Sequence, residues 1–79
     1  MLTFDNQSVI IFAMSEKFDG AKMKQRRTDR GMTQKELARA IGVSSITIGR
    51  YERTHRIPDS NTLIRIIQKL NCQCDDLFL

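Results

Sequence analysis

Apolar residues recur at helical spacing on both sides of Gly42, in the segment that spans residues 33–52. Spacings of three and four residues place such side chains on one face of an amphipathic helix. Gly42 itself suits a sharp turn, because glycine accepts a positive φ without steric cost. Ser44 follows it as an N-cap for a second helix. The pattern predicts two short helices joined by a tight turn, with apolar positions at Leu37, Ile41, Val43, Ile48 and Tyr51.

The residues before this segment carry start and stop signals for one more helix. Asp19 is its predicted N-cap, the helix covers about residues 22–30, and Gly31 ends it. Thr33 and Glu36 then have the spacing of a capping box, in which each side chain bonds to the backbone N–H of the other residue. The next helix is therefore expected to begin at Thr33.

The last third of the chain predicts two further helices. Asp59 is positioned to cap the first of them, and Asn71 can adopt the left-handed conformation that stops it. A last short helix is expected near residues 74–78. The prediction is an all-α fold of five helices in one small domain over residues 18–79; the apolar positions of the fourth helix are Leu63, Ile66, Ile67 and Leu70.

Residues 1–17 form an extension that this domain does not need. The run 8–14 is apolar and β-prone, and the polar residues 5–7 before it suit a turn. A short N-terminal β-strand or hairpin is predicted here, which would pair with its symmetry mate and build a dimer. A flexible tail, or a start of translation at Met14, are the alternatives.

Positive charge is concentrated in the middle of the chain. The 79 residues carry a net charge of +4, but residues 22–56 alone hold ten Lys and Arg against three acidic residues, a net of +7. The remainder is net −3. A positive block that coincides with the two-helix segment indicates a phosphate-binding face, although basic runs are often only solvated helix faces.

Several classes of function are disfavoured. Cys72 and Cys74 are the only cysteines and His55 the only histidine, so one chain cannot assemble a four-ligand zinc site, and the cysteines are expected to pack as small apolar residues. Neither paired carboxylates nor a phosphate-cradling glycine loop is present, so we expect no enzyme, no cofactor and no metal. No apolar run reaches the length of a membrane span, which predicts a cytoplasmic protein.

The spacing of the central segment is that of a DNA-binding helix-turn-helix. On its motifs the chain resembles the lambda-repressor/Cro-type helix-turn-helix family, also called the XRE family, over residues 20–78. The resemblance implies five helices around a small core, with the third helix in the major groove, in a nucleoid-associated protein of bacterial or phage type. It also implies a partly buried structural ion pair between Arg27 and Glu52. The motifs are Gly31-Met32-Thr33-Gln34, Glu36-Leu37-Ala38, Ile41-Gly42-Val43-Ser44 and Ile48 with Arg50-Tyr51-Glu52.

Three residues depart from the family pattern. Arg26 stands where the family usually has an apolar residue, and Thr54 replaces the glycine that commonly ends helix three. Gly49 lies inside helix three, where glycine costs about 1 kcal/mol relative to alanine. Sequence drift at an exposed site would explain the glycine at position 49, and so would a close approach of the helix backbone to DNA.

Two sets of candidate DNA contacts follow from the third helix, about residues 44–54, and its flanks. The start of that helix faces the base edges, where hydroxyls can bond, Ile46 can meet a thymine methyl and Arg50 can grip guanine. The base-reading candidates are Ser44, Ser45, Ile46, Thr47 and Arg50. Gln34, at the start of helix two, is expected to bond a phosphate, as the family resemblance implies. The phosphate-contact candidates are Gln34, Lys35, Arg53, His55 and Arg56.

A module of this size needs two copies for useful specificity, so we expect a homodimer on a near-palindromic double-stranded DNA operator. The dimer interface is either the N-terminal strand or helices four and five. The function favoured is a sequence-specific transcriptional regulator, a repressor acting by occlusion. The alternative is an antitoxin-like DNA-binding protein that also binds a second protein, with the N-terminal strand as the partner-binding element.

Overall fold

The computed structural model describes residues 17–79, which form four α-helices and one short 3-10 helix. The helical elements are α1 Gly20–Asp29, α2 Gln34–Ile41, α3 Ser45–Thr54, α4 Ser60–Leu70 and the 3-10 helix Cys74–Leu77. The predicted all-α fold is confirmed. The N-terminal extension and its predicted strand at residues 8–14 lie outside the described residues, apart from Lys17.

The short fifth helix predicted near residues 74–78 is present as a four-residue 3-10 helix. The N–H of Gln73 donates to the Asp76 carboxylate at 2.8 Å, which closes this single turn. Phe78 then returns to an extended conformation, with φ −121° and ψ 158°. The chain stops turning because Phe78 pairs with another part of the molecule.

That partner is Phe18, which precedes α1. The two residues form an isolated antiparallel β-bridge, and their rings meet edge to face with centroids 5.7 Å apart. The N–H of Asp19 donates to the carbonyl oxygen of Leu77 at 2.8 Å, and the N–H of Leu79 donates to Lys17 at the same distance. The start of α1 is thereby attached to the last residues of the chain.

The helix starts and stops follow the predicted residues closely. Asp19 accepts from the N–H of Ala21 at 2.9 Å, and Asn71 ends α4 with a left-handed φ of 51°. Asp59 occupies the N-cap position of α4 as predicted, but its side chain makes no capping hydrogen bond. Its contribution to that helix start is therefore only its extended backbone.

The core lies where α3 packs on α1 and α2, α2 packs on α4, and the 3-10 helix packs on α1 and α4. All apolar positions predicted for the second, third and fourth helices are buried, apart from Val43, which is partly buried. Within residues 17–79 no helix has both the length and the apolar content needed to cross a bilayer. The buried apolar side chains are Phe18, Met23, Leu37, Ala38, Ile41, Ile48, Tyr51, Leu63, Ile66, Ile67, Leu70, Cys72, Leu77 and Phe78.

α1 and α3 approach each other most closely at Gly20. A Cβ added at Gly20 would lie 2.7 Å from the carbonyl oxygen of Glu52 and 2.8 Å from its Cα, and closer still to the carbonyl oxygen of Tyr51. Only a residue without a side chain fits between the two helices here. This contact sets the position of the C-terminal half of α3.

Candidate nucleic-acid interface

The turn between α2 and α3 consists of a glycine that ends the first helix and a serine that caps the second. Gly42 ends α2 with a left-handed φ of 79°, and its N–H bonds to the carbonyl oxygen of Ala38. Ser44 then caps α3, because its hydroxyl accepts from the N–H of Thr47 at 3.1 Å. The two short helices are therefore held at a defined angle by local hydrogen bonds.

The start of α2 has a complete capping box. Thr33 accepts from the N–H of Glu36 at 3.0 Å, and the Glu36 carboxylate accepts from the N–H of Thr33 at 2.8 Å. Hydrogen bonding of the Glu36 carboxylate to Thr33, first of all to its backbone N–H, lowers the pKa of Glu36 below its ordinary value. The capping box that the sequence predicts is thus present, and it fixes the helix end that carries Gln34.

A buried ion pair links α1 to α3. Arg27 donates through Nε and Nη2 to the two carboxylate oxygens of Glu52, at 2.7 and 3.1 Å. Both side chains are almost wholly buried, at 8% and 2% exposure. Arg27 also donates to the carbonyl oxygen of Met32, in the loop before α2. Since the guanidinium and the carboxylate satisfy each other, the pair orients the start of α2 relative to α3.

Gln34 joins this network. Its Nε2 donates to the Glu52 carboxylate at 3.0 Å, which fixes the amide at the first residue of α2. The side chain lies beside Gly49 of α3, since a Cβ added there would be 3.8 Å from Nε2. One amide hydrogen and the backbone N–H of Gln34 have no acceptor within the described residues. The positive end of the α2 dipole and these donors together suit an anion.

Gly49 is buried. The presence of a glycine at this position of α3 can therefore not be explained as drift at an exposed site. The nearest atom to an added Cβ is Nη1 of Arg53, at 3.3 Å. The space beside Gly49 is thus bordered by the Arg53 guanidinium and the Gln34 amide, both on the α2 side of α3.

The outward face of α3 carries the main base-reading candidates. Ile46 is 65% exposed and Arg50 is exposed, while Ile48 and Tyr51 fill the core. Ser45 is half-buried. Ser44 and Thr47 bond each other through their hydroxyls at 2.9 Å, so both hydroxyls are already part of the α3 cap. The five candidates lie between the N-cap and the sixth residue of α3, and among them Ile46 and Arg50 have exposed side chains that take no part in the cap.

Part of the positive block is used inside the domain. Lys22 donates to the carbonyl oxygen of Phe78 at 2.6 Å, and Arg30 donates to those of Leu70 and Asn71 at the end of α4. Arg26, which departs from the family pattern, forms an ion pair with Asp76 at 3.3 Å. These three cations stabilise the C-terminal end of the domain. The sequence does not distinguish them from the cations that remain available for DNA.

The remaining cations are exposed and concentrate around α2 and α3. None of them has a hydrogen-bond or ion-pair partner within residues 17–79. Lys24 of α1 is one of them. The others lie on or beside α2 and α3 and comprise the three basic phosphate-contact candidates other than His55 together with two more; they are Lys35, Arg39, Arg50, Arg53 and Arg56.

His55, the remaining phosphate-contact candidate, has a second role that the sequence does not reveal. It follows α3 in a left-handed conformation with φ 56°, which explains how the helix ends without the glycine that Thr54 replaces. Its Nδ1 accepts from the N–H of Gly20 at 3.0 Å and lies 3.6 Å from the Asp19 carboxylate. His55 thus caps α1 from the far end of α3, and this hydrogen bond offsets part of the strain of a left-handed residue.

A crevice of about 210 Å³ opens beside α3, on the side of the loop that follows it. The lining residues are Thr47, Arg50, Tyr51 and Arg56. The pKa of Tyr51 is raised by burial and by the nearby Asp59, while Arg56 acts in the opposite direction. No group of three metal-binding side chains converges within the described residues.

Comparison with known proteins agrees with this geometry. The family model described as Helix-turn-helix (HTH_3) matches residues 23–77. The HTH-type transcriptional regulator ImmR of Bacillus subtilis (strain 168) is 34% identical over 58 residues, which are 73% of this chain and 46% of that protein. The chain therefore spans about half the length of the curated relative it matches.

Solved structures show the same arrangement. The P22 c2 repressor in complex with a synthetic operator superposes with a TM-score of 0.69 at 29% identity, over 73% of this chain and 88% of that one. The restriction-modification controller protein C.AhdI from Aeromonas hydrophila gives 0.68 at 25% identity, over 75% and 89%. The names of these three proteins describe a transcriptional regulator, a repressor and a controller protein.

Proposed function

We propose, because the chain belongs to the helix-turn-helix family of the XRE, Cro/C1 type, that it is a sequence-specific transcriptional regulator that binds double-stranded DNA. The observation that carries this proposal is the surface formed by α3 and the start of α2. Ile46 and Arg50 project from α3, Gln34 lies beside it, and exposed cations surround both. The P22 c2 repressor, whose structure this chain resembles, is itself bound to an operator.

In this proposal α3 enters the major groove and reads base edges. Arg50 donates to guanine, and Ile46 contacts a thymine methyl. Ser45 supplies a hydroxyl at the groove floor. Ser44 and Thr47 lie next to the bases, but their hydroxyls are shared with the helix cap, which limits their part in base reading.

Phosphate contacts position the domain without reading sequence. Gln34 offers its backbone N–H and one amide hydrogen to a phosphate at the start of α2, held in place by Glu52. Lys35 lies next to it, and Arg53 projects from the same side of α3. His55 and Arg56 extend the positive surface past the end of the helix.

A homodimer on a near-palindromic site completes the proposal, with repression by occlusion of a promoter in the bacterial cytoplasm. Of the two candidate interfaces, only the one formed by α4 and the 3-10 helix lies within residues 17–79, and this proposal adopts it. The N-terminal strand interface and the antitoxin-like alternative both depend on residues outside 17–79, so no observation of the described residues favours them.

The test is selection of bound sequences from a random duplex pool at near-physiological salt. An enriched palindrome with half-sites about one helical turn apart would support a dimeric, sequence-specific regulator. Retention of DNA without any enriched sequence would refute sequence-specific reading by α3.

Two matched variants separate base reading from positioning. Arg50→Ala should weaken binding to the selected site more than to random DNA. Lys35→Ala should weaken both alike and reduce the salt slope by about 0.9. Equal losses of specific and random binding in Arg50→Ala would contradict the base-reading assignment.

A further inference from the structure

The crevice beside α3 lies on the opposite flank of that helix from Gln34. Gln34 borders Gly49, whereas Thr47 and Tyr51 each lie two positions from Gly49 along α3. Two positions correspond to about 200° around an α-helix. Gln34 and the crevice therefore border opposite sides of α3, and the exposed Ile46 lies on the face between them.

A helix in the major groove has a sugar-phosphate backbone on each side, because that groove is only about 12 Å wide. If the start of α2 meets one strand, the opposite flank of α3 meets the other. The opposite flank is where the crevice opens. Its position alone therefore directs it toward a phosphate of the second strand.

The lining chemistry suits a phosphate. Arg56 and Arg50 contribute two guanidinium groups, and neither has an acidic partner within the described residues. Tyr51 lines the crevice although the residue is otherwise buried at 9% exposure, and its hydroxyl is near enough to Arg56 and Asp59 for both to act on its pKa. Burial and Asp59 raise the pKa of Tyr51, which keeps this hydroxyl protonated and able to donate.

Thr47 supplies a further donor through the α3 cap. Its Oγ1 lies 2.9 Å from the Ser44 hydroxyl, and either oxygen can be the donor. When the Ser44 hydroxyl donates to Thr47, the Thr47 hydroxyl hydrogen is directed to another acceptor. A phosphate oxygen in the crevice would complete this chain of hydrogen bonds, which strengthens each member.

The size of the crevice agrees with one phosphodiester. Its volume of about 210 Å³ is below the about 300 Å³ at which pockets for small-molecule ligands usually begin, so a group as small as a phosphate suits it better than a whole nucleotide.

We propose that Thr47, Tyr51 and Arg56 bind one phosphodiester of the DNA strand opposite to the strand that Gln34 contacts, with Arg50 adding positive charge at the rim. The inference rests on the proposed function and deepens it. It adds Tyr51, a residue of the core, to the DNA-binding surface, and it assigns Thr47 to the backbone rather than to the bases. α3 is then fixed in the groove from both flanks.

The experiment combines protein variants with DNA that carries a single neutral methylphosphonate. The duplex is the site selected by the wild-type protein, and each backbone position on both strands is neutralised in turn. The variants are Tyr51→Phe, Arg56→Gln and Gln34→Ala. Arg65→Gln is the matched control, because it removes one exposed arginine from α4.

One position should cost the wild-type protein about tenfold in affinity, as expected for a hydrogen-bonded charge contact. The same position should cost Arg56→Gln and Tyr51→Phe less than about threefold, because the contact is already weakened. The position coupled to Gln34→Ala should lie on the other strand. Arg65→Gln should behave like the wild-type protein at every position.

The possible results distinguish failure of the crevice assignment from failure of the proposed DNA-binding function. If the wild-type protein binds its site but Tyr51→Phe and Arg56→Gln couple to no common phosphate, the crevice assignment is wrong while the function stands. Coupling of Arg56 and Gln34 to the same strand would also overturn it. If the wild-type protein binds no duplex at all, both the function and this inference are refuted. Circular dichroism melting of each variant confirms that it remains folded.

Discussion

The two glycines inside helices of this domain predict opposite responses to the same substitution. Gly20→Ala places a methyl group against three backbone atoms of α3, two of them only 2.7 and 2.8 Å away. Backbone cannot rotate aside as a side chain can, so α1 and α3 must separate. Overpacking of this kind costs about 1–3 kcal/mol and occasionally more, and we expect the upper end, about 3 kcal/mol.

The separation would also disturb interactions that depend on the α1–α3 distance. The N–H of Gly20 donates to His55, and Arg27 of α1 bonds Glu52 of α3. For a domain of this size, 1 kcal/mol corresponds to about 4–8 °C in Tm. Gly20→Ala should therefore lower Tm by more than about 12 °C in a thermal melt followed by circular dichroism.

Gly49→Ala is the matched control on α3. The atom nearest to its new methyl group would be Nη1 of Arg53 at 3.3 Å, the far end of an exposed and flexible side chain. Arg53 can move, and alanine is favoured over glycine in a helix by about 1 kcal/mol. Gly49→Ala should leave Tm unchanged or raise it. Similar destabilisation by both substitutions, or a Gly20→Ala protein as stable as the wild type, would refute the close-contact argument.

Three further predictions follow from other parts of the structure. Glu52→Ala should lower the free energy of unfolding by about 3–5 kcal/mol, because Arg27 would stay buried without its carboxylate; a change below about 1 kcal/mol in urea denaturation would contradict this. Glu36 has a lowered pKa in the folded state, so its stabilising effect is present above its ordinary pKa of 4.5 and disappears as the pH falls through the lower folded value. The loss of Tm in Glu36→Gln should thus be measurable at neutral pH and vanish in acid, and a pH-independent difference would exclude this role. Burial raises the pKa of Cys72 to about 11, while Cys74 is only partly buried, so a thiol reagent near neutral pH should modify Cys74 first and Cys72 only as the protein unfolds. Equal rates for the two thiols would count against the buried position of Cys72.

Local signals in the sequence predicted the helices and their order. Gly42, Ser44 and the Thr33–Glu36 capping box act between residues at most four positions apart, so their effect can be recognised from spacing alone. The same holds for the apolar stripe of α4, whose four positions are all buried. The short final helix was predicted in place, while its 3-10 form is known only from the structure, in which Phe78 after it pairs with Phe18.

Family resemblance added what spacing could not supply. The pair Arg27–Glu52 joins residues that are 25 positions apart, and only the family pattern connected them before the structure did. The remaining contacts of that pair, to Met32 and to Gln34, were not foreseen. Whether Gln34 bonds a phosphate stays a prediction, although its side chain is now known to be held by Glu52.

The sequence by itself determined that this is a small helical domain of the helix-turn-helix type with an excess of positive charge near the turn. Only the tertiary structure decided which charges remain available to DNA. Lys22, Arg26 and Arg30 bond the C-terminal end of the chain, His55 caps α1, and Arg56 meets Tyr51 across a crevice. Helices and turns arise from interactions between residues close in sequence, so they can be predicted from residue types and their spacing. The use of each cation depends on contacts between residues up to 56 positions apart, which form only when the whole core has packed.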